Sequence, residues 1–470
     1  MRVKTNGYIL IQVIIFSAIT AYLLGALTGW SIIDIKSSRY TENREMAIQI
    51  AEAGIDYYRW HLAHAPTDYQ DGTGEDGPYI HDFLNKDNEV IGQFTLNITP
   101  PSLGSSLVVI ESTGQTNANP DITRTIITRL AKPSIAKYAV VANSSMRFGE
   151  GTEVFGPIHS NGGIRFDGLA HNIISSGVST YDDPDHSGGL EFGVHTHASP
   201  IDPLPPAELP IRGDIFEAGR QFPVPQITFT GMTADIAQMK TDAVADGFYG
   251  GSSGSLGYEI ILHTNDRFDL YKVTSFTSAP HGCSSSGQSG WGTWSIKKET
   301  SLGNYPFPNN GIIFLEDNIF VRGQIDSARL TIIAAVLPDS ISTRKNIIIN
   351  KDLLYTTYDG SDVIGLIAQG DITVGLESED DLRIDAALIA QNGRIGRYYY
   401  ESDCTPYDIR NSITLWGMLA TNLRYGFAYT NDTGYITRTL NYDSSMLYGP
   451  PPNFPLTSDQ YVTLSWEEVK

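Results

Sequence analysis

The strongest hydrophobic pattern in the chain is an uninterrupted apolar run from Tyr8 to Ile33, which contains no charged residue. As a helix that rises about 1.5 Å per residue, the run extends roughly 39 Å and exceeds the roughly 30 Å of hydrocarbon in a bilayer. No proline follows until Pro66. The pattern therefore predicts one long helix over residues 8–65 that is transmembrane over residues 8–33.

Charges around the apolar run set the expected orientation. Arg2 and Lys4 precede the run and Asp34 follows it. Basic residues before a span keep that end in the cytoplasm, so the rest of the chain is expected outside it. The run is longer than a secretory signal and has only weak cleavage candidates. We therefore predict a single-pass protein of the inner or cytoplasmic membrane with an extracytoplasmic C-terminal body.

The second half of the predicted helix is amphipathic. Polar residues recur at steps of three and four and form one narrow stripe, at Glu45, Gln49, Glu52, Asp56 and Arg59. Apolar residues lie on one flank at Met46, Ile50, Ala53 and Tyr57, and opposite at Ile48, Ala51, Ile55, Tyr58 and Leu62. A helix that packs only on its own domain needs one apolar face. Two faces predict contact with neighbouring subunits, and burial of both flanks within one monomer is the alternative.

After the helix the period changes to the alternation of β-strands. Three alternating runs, separated by proline- and glycine-containing turns, cover residues 90–98, 106–112 and 122–130. They predict a small antiparallel sheet, and we assign a β head to residues 66–132. This sheet is expected to cover one flank of the helix.

From residue 133 to residue 470 the pattern is a series of short β-rich runs separated by Gly, Asn and Asp. Similar segments recur roughly every 20 to 25 residues, as in 365–374 and 387–395, which is the range expected for stacked coils of a β-solenoid or β-helix. An antiparallel β-sandwich is the alternative. A proline-rich insertion at about 200–308, with a short helix around 233–245, interrupts the runs. The fold class predicted is α+β with a mostly β body.

Composition narrows the function. The formal net charge of -21 disfavours nucleic acid as a partner, because phosphate binding needs clustered Lys and Arg. Only Cys283 and Cys404 can form a disulfide, and two separate thiols are the alternative. In the glycine- and serine-rich part of the insertion, Trp291 and Trp294 are candidate ligand contacts, with packing as the alternative.

Candidate catalytic and metal-binding residues are few. His195 and His197 would share one side of a strand, and acids and His186 precede them by about ten residues, but such residues are expected by chance in a polar surface loop. Acids and Arg383 within 377–383 form the nearest cluster for polysaccharide cleavage, and they lie in an apparent turn. We predict no catalytic residue, no metal site and no cofactor, and the chain is not expected to be an enzyme.

The N-terminal features together resemble a known family. A basic leader that ends at Gly7, an aromatic-led apolar helix from Tyr8, and the segment 51–54 (Ala-Glu-Ala-Gly) resemble type IV pilins, most closely PilX-type minor pilins, over roughly the first 130 residues. Residues 313–454 loosely resemble a polymer-forming β-solenoid domain. The resemblance implies a leader peptide over residues 1–7, cleavage of the Gly7–Tyr8 bond by a prepilin peptidase, and assembly with other pilin-like subunits.

One residue departs from the family pattern. Family members usually carry Glu at the fifth mature position, where it pairs with the terminal amine of an adjacent subunit, and this chain has Gln12. An amide is a weaker partner for an ammonium than a carboxylate is. The resemblance therefore implies a minor subunit of a type IV pilus or pseudopilus near the fibre tip, on the cell surface after assembly, that acts in fibre initiation or in adhesion to a surface glycan or protein. The alternative is a stand-alone membrane-anchored protein that binds or cleaves carbohydrate.

Overall fold

The computed structural model begins with one long helix, α1 (Asn6–His64), of 59 residues. Within the described residues, which are 6–101, 105–227, 229, 232–285, 287–447, 449–456 and 460–469, it is the one helix long and apolar enough to cross a membrane. The predicted helix over 8–65 is thus present. Residues 1–5 of the predicted leader lie outside the described residues.

The first of two structural units combines this helix with a small antiparallel sheet. Its strands in sheet order are β1 (Tyr79–Leu84), β2 (Val90–Thr99), β3 (Val108–Thr116), β4 (Asn119–Ala131) and a C-terminal strand, Val462–Val469. The three predicted runs correspond to β2, β3 and β4, so the prediction missed β1 within 66–132 and assigned the C-terminal strand to the body at 133–470. Strand periodicity does not identify the partner of a strand more than 300 residues away, so only the fold reveals this pairing.

The second half of α1 packs on this sheet through a single buried stripe. The stripe contains Ala47, Ile50, Ala51, Ile55, Tyr58 and Leu62, which are at most 4% exposed. It includes residues from both apolar flanks, so the inference of a second, unpartnered face on this half of the helix was wrong. The flanks meet opposite the polar stripe, because successive helix positions are rotated by about 100°, and residues of both flanks pack on the same sheet.

The second unit, built from residues 101–107 and 132–460, is mostly β. Its first part contains β5 (Val140–Ala142), β6 (Met146–Phe148), β7 (Thr152–Phe155), β8 (Ile158–Ser160), β9 (Ile164–Phe166), β10 (Leu169–Ala170), β11 (Ile174–Ser176), β12 (Thr180–Tyr181), β13 (Glu191–Phe192), β14 (Val194–His195) and β15 (Arg220–Gln221). Then come α2 (Met232–Asp246), β16 (Phe248–Gly250), β17 (Tyr258–His263), β18 (Arg267–Phe276) and β19 (Ile296–Pro306).

The remaining strands of the chain follow. They are β20 (Ile312–Leu315), β21 (Ile319–Ile325), β22 (Arg329–Ala334), β23 (Ile347–Ile348), β24 (Leu353–Tyr355), β25 (Val363–Ala368), β26 (Ile372–Val374), β27 (Asp381–Ala390), β28 (Ile395–Arg397), β29 (Ile409–Thr421), β30 (Gly434–Tyr442) and, in the first unit, β31 (Val462–Val469).

Parallel pairing dominates the second unit. Each neighbouring pair is parallel in the series β16, β20, β22, β25, β27, β29, β5, β8, β11, β15. A second parallel series runs β17, β21, β23, β26, β28. This pattern is the one that stacked coils require, whereas a sandwich is built from antiparallel sheets. The predicted fold class, an α+β chain with a long helix, a small antiparallel sheet and a mostly β body, is confirmed.

Both faces of the main parallel sheet are covered. All six residues of β25 are buried, as expected for a parallel sheet with two packed faces. Helix α2 contributes Ile236, Met239 and Ala243 to the same core, and the segment 450–455 lies against β20 and β25 near Gly311 and Gly365. The insertion therefore supplies part of the cover of the stack.

Candidate functional site

The first half of α1 has no cover within the chain. Every described side chain from Tyr8 to Glu42 is exposed, including Phe16 at 67% and Trp30 at 72%. Transfer of apolar surface out of water contributes about 25 cal/mol per Å². An apolar surface of this length needs an apolar environment outside the chain, which lipid or other helices provide.

Polar side chains in this half of the helix differ in whether they have a hydrogen-bond partner within the chain. The hydroxyls of Thr20 and Thr28 donate to the backbone carbonyls of Phe16 and Leu24, at 2.7 and 2.6 Å. The Gln12 amide has no hydrogen-bond partner within the part of the chain that the structure describes. Gln12 is also the only amide or acid between Tyr8 and Ile33, so its side chain is available to a group outside the chain.

The predicted cleavage position lies at the start of the same helix. Gly7 and Tyr8 belong to the first turns of α1, and Tyr8 is 79% exposed. Both residues precede the packed part of α1 by about ten turns. Loss of the residues before Tyr8 would therefore leave the contacts between α1 and its sheet intact.

Cys283 and Cys404 are joined by a disulfide with a Cα–Cα distance of 4.6 Å. Trp291 and Trp294 lie beside it, partly buried. The Trp291 indole N–H donates to the carbonyl of Tyr399 at 3.3 Å, and the Trp294 indole N–H donates to the carbonyl of Gly290 at 3.1 Å. Both indole N–H groups therefore already have a hydrogen-bond acceptor within the protein. The two rings also pack the glycine- and serine-rich part of the insertion onto the parallel strands.

The acids of residues 377–383 serve the local structure. A Glu379 carboxylate oxygen accepts from the amide of Asp352 at 3.2 Å, and Asp380 accepts from the amide of Asn411 at 3.1 Å. Arg383 donates to Asp385 at 2.9 Å. These groups thus make hydrogen bonds with neighbouring segments of the second unit.

A cluster of imidazoles and carboxylates forms where the hairpin β12–β13 meets β14. Asp183 and His186 lie in the hairpin loop, Glu191 begins β13, and His195 ends β14, which pairs in parallel with β9. His197 follows two residues later. The two groups Asp183, His195, His197 and His186, Glu191, His197 each bring their ligand atoms within 4.8 Å of one another.

Burial distinguishes this cluster from the polar surface loop that the sequence suggested. His195 is fully buried, and Asp183 and Glu191 are 3% and 1% exposed. The surface-loop interpretation was therefore wrong for Asp183 and His195, because the hairpin folds back over the strand that carries His195. Glu191 was not a sequence candidate; it is separated from the histidines by only a few residues, but nothing in the local pattern indicated its burial.

The electrostatics of the cluster follow from this burial. Burial lowers the pKa of His195, against the opposing effect of the Glu191 charge, so the neutral imidazole is favoured. Burial also raises the pKa of the Tyr181 phenol, whose ring centroid lies 5.5 Å from that of His195. A neutral imidazole is the form that coordinates metals.

A cleft of about 1050 Å³ borders the cluster. His197 lines it, together with the arginines Arg147, Arg165, Arg394, Arg424 and Arg438. Asp185 pairs with Arg147 at 3.6 Å and with Arg424, so part of the positive charge is neutralised. The cleft connects one side of the histidine cluster to solvent.

Comparisons with known proteins identify no family. No protein-family model matches the chain, and no curated protein matches it. Among solved structures, the fold is similar to the crystal structure of the competence-associated pilin ComZ from Thermus thermophilus, at 12% identity and a TM-score of 0.32. That similarity covers 91% of this chain and 97% of the other. A similarity of this size carries no argument about function, which depends on the residues themselves.

Proposed function

We propose that the chain is a minor pilin-like structural subunit of a type IV pilus or pseudopilus, without catalytic activity. The observation that carries this proposal is the contrast within α1: residues 8–42 are exposed and mostly apolar, whereas the stripe from Ala47 to Leu62 packs on the chain's own sheet. Such a helix is stored in the membrane through its first half. In a fibre the same half packs among the helices of other subunits.

Gln12 supports a position near one end of the fibre. An amide within an apolar helix favours hydrogen bonding to a neighbouring helix. It lacks the charge that would neutralise the terminal amine of an adjacent subunit, and charge-assisted hydrogen bonds are about twice as strong as neutral ones. A subunit at the tip has one fewer neighbour to neutralise. The proposed place is therefore the tip, where the subunit acts in fibre initiation or adhesion.

The second unit supports a role in contact with a surface. It is cross-linked by two parallel series of strands and a disulfide, and five arginines line its cleft, a residue type suited to carboxylate partners. A surface glycan or a protein with exposed carboxylates suits such a cleft. The proposed location is the cytoplasmic membrane before assembly and the cell surface afterwards.

Processing tests the proposal directly. In a cell with a prepilin peptidase and a pilus assembly system, the mature chain is expected to begin at Tyr8, because the peptidase cuts after the leader glycine. Mass spectrometry of the intact chain and N-terminal sequencing measure this. Sheared fibres are expected to contain the chain at low abundance, with other pilin-like proteins and with immunogold label at fibre ends.

Two variants control this experiment. Gly7→Trp is expected to block cleavage and keep the full chain in the membrane fraction, and Gly25→Ala, an exposed glycine of the same helix, is expected to be processed normally.

A third variant tests the position in the fibre. Gln12→Glu is expected to be processed and to spread label along the fibre. An intact leader on wild-type chain from a peptidase-competent cell would contradict the proposal, and tight glycan binding by a chain found only as a membrane monomer would favour the carbohydrate-binding alternative.

A further inference from the structure

The geometry points to a binding site for one divalent transition-metal ion, with zinc as the first candidate, whose ligands are drawn from Asp183, His186, Glu191, His195 and His197. The site lies within the second unit and does not depend on the proposed pilin-like function. Three independent features of these side chains support it: their spacing, their burial without partners, and their chemistry.

The spacing of the ligand atoms matches a coordination shell. Ligands about 2.0 to 2.2 Å from a tetrahedral zinc ion lie roughly 3.3 to 3.6 Å apart. His195 Nε2 is 3.5 Å from Asp183 Oδ2, and His197 Nε2 is 3.4 Å from Glu191 Oε1. His186 Nδ1 is 3.0 Å from the same Glu191 oxygen. His197 is common to both groups of three, so an ion bound by His197 can take its other ligands from either group.

Several of these buried atoms have no hydrogen-bond partner. Both ring nitrogens of His195, the Oδ2 atom of Asp183 and the Oε2 atom of Glu191 are unpartnered among the residues that the structure describes. A buried polar group without a partner costs about 1–3 kcal/mol, and a charged one costs more. A cation bound by His195 and Asp183 would provide a partner for one ring nitrogen of His195 and for the Asp183 oxygen, because an imidazole presents only one of its nitrogens to a metal.

The chemistry of the donors selects the class of ion. Imidazole nitrogens combined with carboxylate oxygens suit zinc and similar transition metals, whereas calcium and magnesium prefer oxygen ligands alone. The two carboxylate side chains, Asp183 and Glu191, would balance the charge of a divalent cation held between them. Arg165 lies 3.7 Å from Asp183, but its Nε atom donates to Asp167 at 2.7 Å, so Asp167 is its main partner.

Another histidine shows what an ordinary ion-paired site looks like in this fold. His171 places Nε2 2.7 Å from Glu153 and Nδ1 2.7 Å from Glu217, so both ring nitrogens are hydrogen-bonded. Burial by itself would lower the pKa of His171, but the two glutamates raise it above its ordinary value. His195 is more deeply buried and has neither bond. The ring nitrogens of His171 are therefore already used in hydrogen bonds, whereas a ring nitrogen of His195 is available to bind a metal.

The position of the site indicates what the ion would do. The hairpin loop supplies Asp183 and His186, and the parallel stack supplies His195 through β14. The ion would fasten this loop to the stack, as the Cys283–Cys404 disulfide fastens the insertion. His197 lines the neighbouring cleft, which gives the ion an access route from solvent.

The experiment uses the full chain in detergent, treated with a chelator and dialysed. Titration with zinc chloride, followed by calorimetry and by elemental analysis of the gel-filtered protein, is expected to give one equivalent bound with submicromolar affinity. Chelation is expected to lower the melting temperature of wild-type chain and zinc to restore it. Cobalt(II) is expected to give the intense visible absorption of a tetrahedral site.

Variants assign the binding to these residues. His195→Ala and His197→Ala are each expected to weaken zinc binding by about 100-fold or more, and His171→Ala is the matched control with unchanged affinity. If His195→Ala does not fold, the more exposed His186→Gln replaces it, with an expected loss of about tenfold or more. The proposal is overturned if wild-type chain binds no zinc at micromolar concentration, or if the His195 and His197 variants bind it as wild type does.

Discussion

The two halves of α1 are continuous in the backbone but differ in where their apolar surface is buried. In the half that ends near Glu42 every described side chain is exposed, and in the half from Ala47 to Leu62 an apolar stripe is buried against an antiparallel sheet. Between Tyr8 and Ile33 the first half carries no charged side chain, whereas the second carries a polar stripe opposite its buried one. A uniformly apolar surface fits lipid or many helices, but a single stripe fits one specific sheet.

The comparison implies that truncation of a leucine lowers the stability of the first unit in one half of the helix and leaves it nearly unchanged in the other. Leu62→Ala is expected to destabilise the first unit by about 2–5 kcal/mol, because Leu62 is 1% exposed and leaves a cavity. Leu24→Ala, at 59% exposure, is expected to change that stability by less than about 0.5 kcal/mol. Urea unfolding of the full chain in detergent, followed by hydrogen exchange of the sheet amides, measures both. Equal losses for the two variants would contradict the division of the helix.

Glycines in the two halves provide a second, smaller contrast. A Cβ at Gly54 would overlap the hydroxyl of Ser112 and lie 2.9 Å from a ring carbon of Phe94, whereas a Cβ at Gly25 meets nothing within 4 Å. Gly54→Val is therefore expected to cost about 1–3 kcal/mol through overpacking. Gly25→Val is expected to leave the stability of the first unit unchanged, and its effect should appear only in fibre incorporation. Thermal unfolding of both variants, with Gly54→Ala as an intermediate size, checks the order.

The smallest expected difference is in acid sensitivity. Asp68 follows the packed end of the helix and accepts backbone amides of Gln70 and Gly72 at 2.9 and 2.7 Å. These hydrogen bonds, with His61 nearby, hold the pKa of Asp68 below its ordinary value. Its contribution to stability is therefore full above the ordinary value of about 3.9 and is lost as pH falls through the lower, folded value.

Asp68→Asn is accordingly expected to reduce stability slightly at neutral pH and to flatten its decline in acid. The apolar half of the helix has no acid between Tyr8 and Ile33, so detergent partitioning of the chain should not change over the same pH range. Unfolding curves between pH 7 and pH 3 measure the first effect. If the stability of the variant depends on pH as that of wild type does, Asp68 does not contribute to the acid sensitivity.

The sequence by itself determined the elements whose signal is local. The uncharged run from Tyr8 to Ile33 predicts a long helix, because an apolar stretch of this length is typical of a helix that lies in a membrane. Alternating runs predicted β2, β3 and β4 of the small sheet but not β1 or β31. Recurring short runs predicted a mostly β body, since each run reports which side of its own backbone is buried. The helix within the insertion followed from the same kind of local pattern.

Tertiary structure decided which distant segments meet. It paired β31 with β4, placed β5 beside β29, and joined Cys283 to Cys404. It also merged both flanks of the helix into one buried stripe and folded a polar hairpin over His195, which brought Glu191 into the cluster. Hydrophobic periodicity indicates that a side chain is buried, but it does not indicate which other segment the side chain packs against. Partner choice depends on shape and register across hundreds of residues, and only the folded chain contains that information.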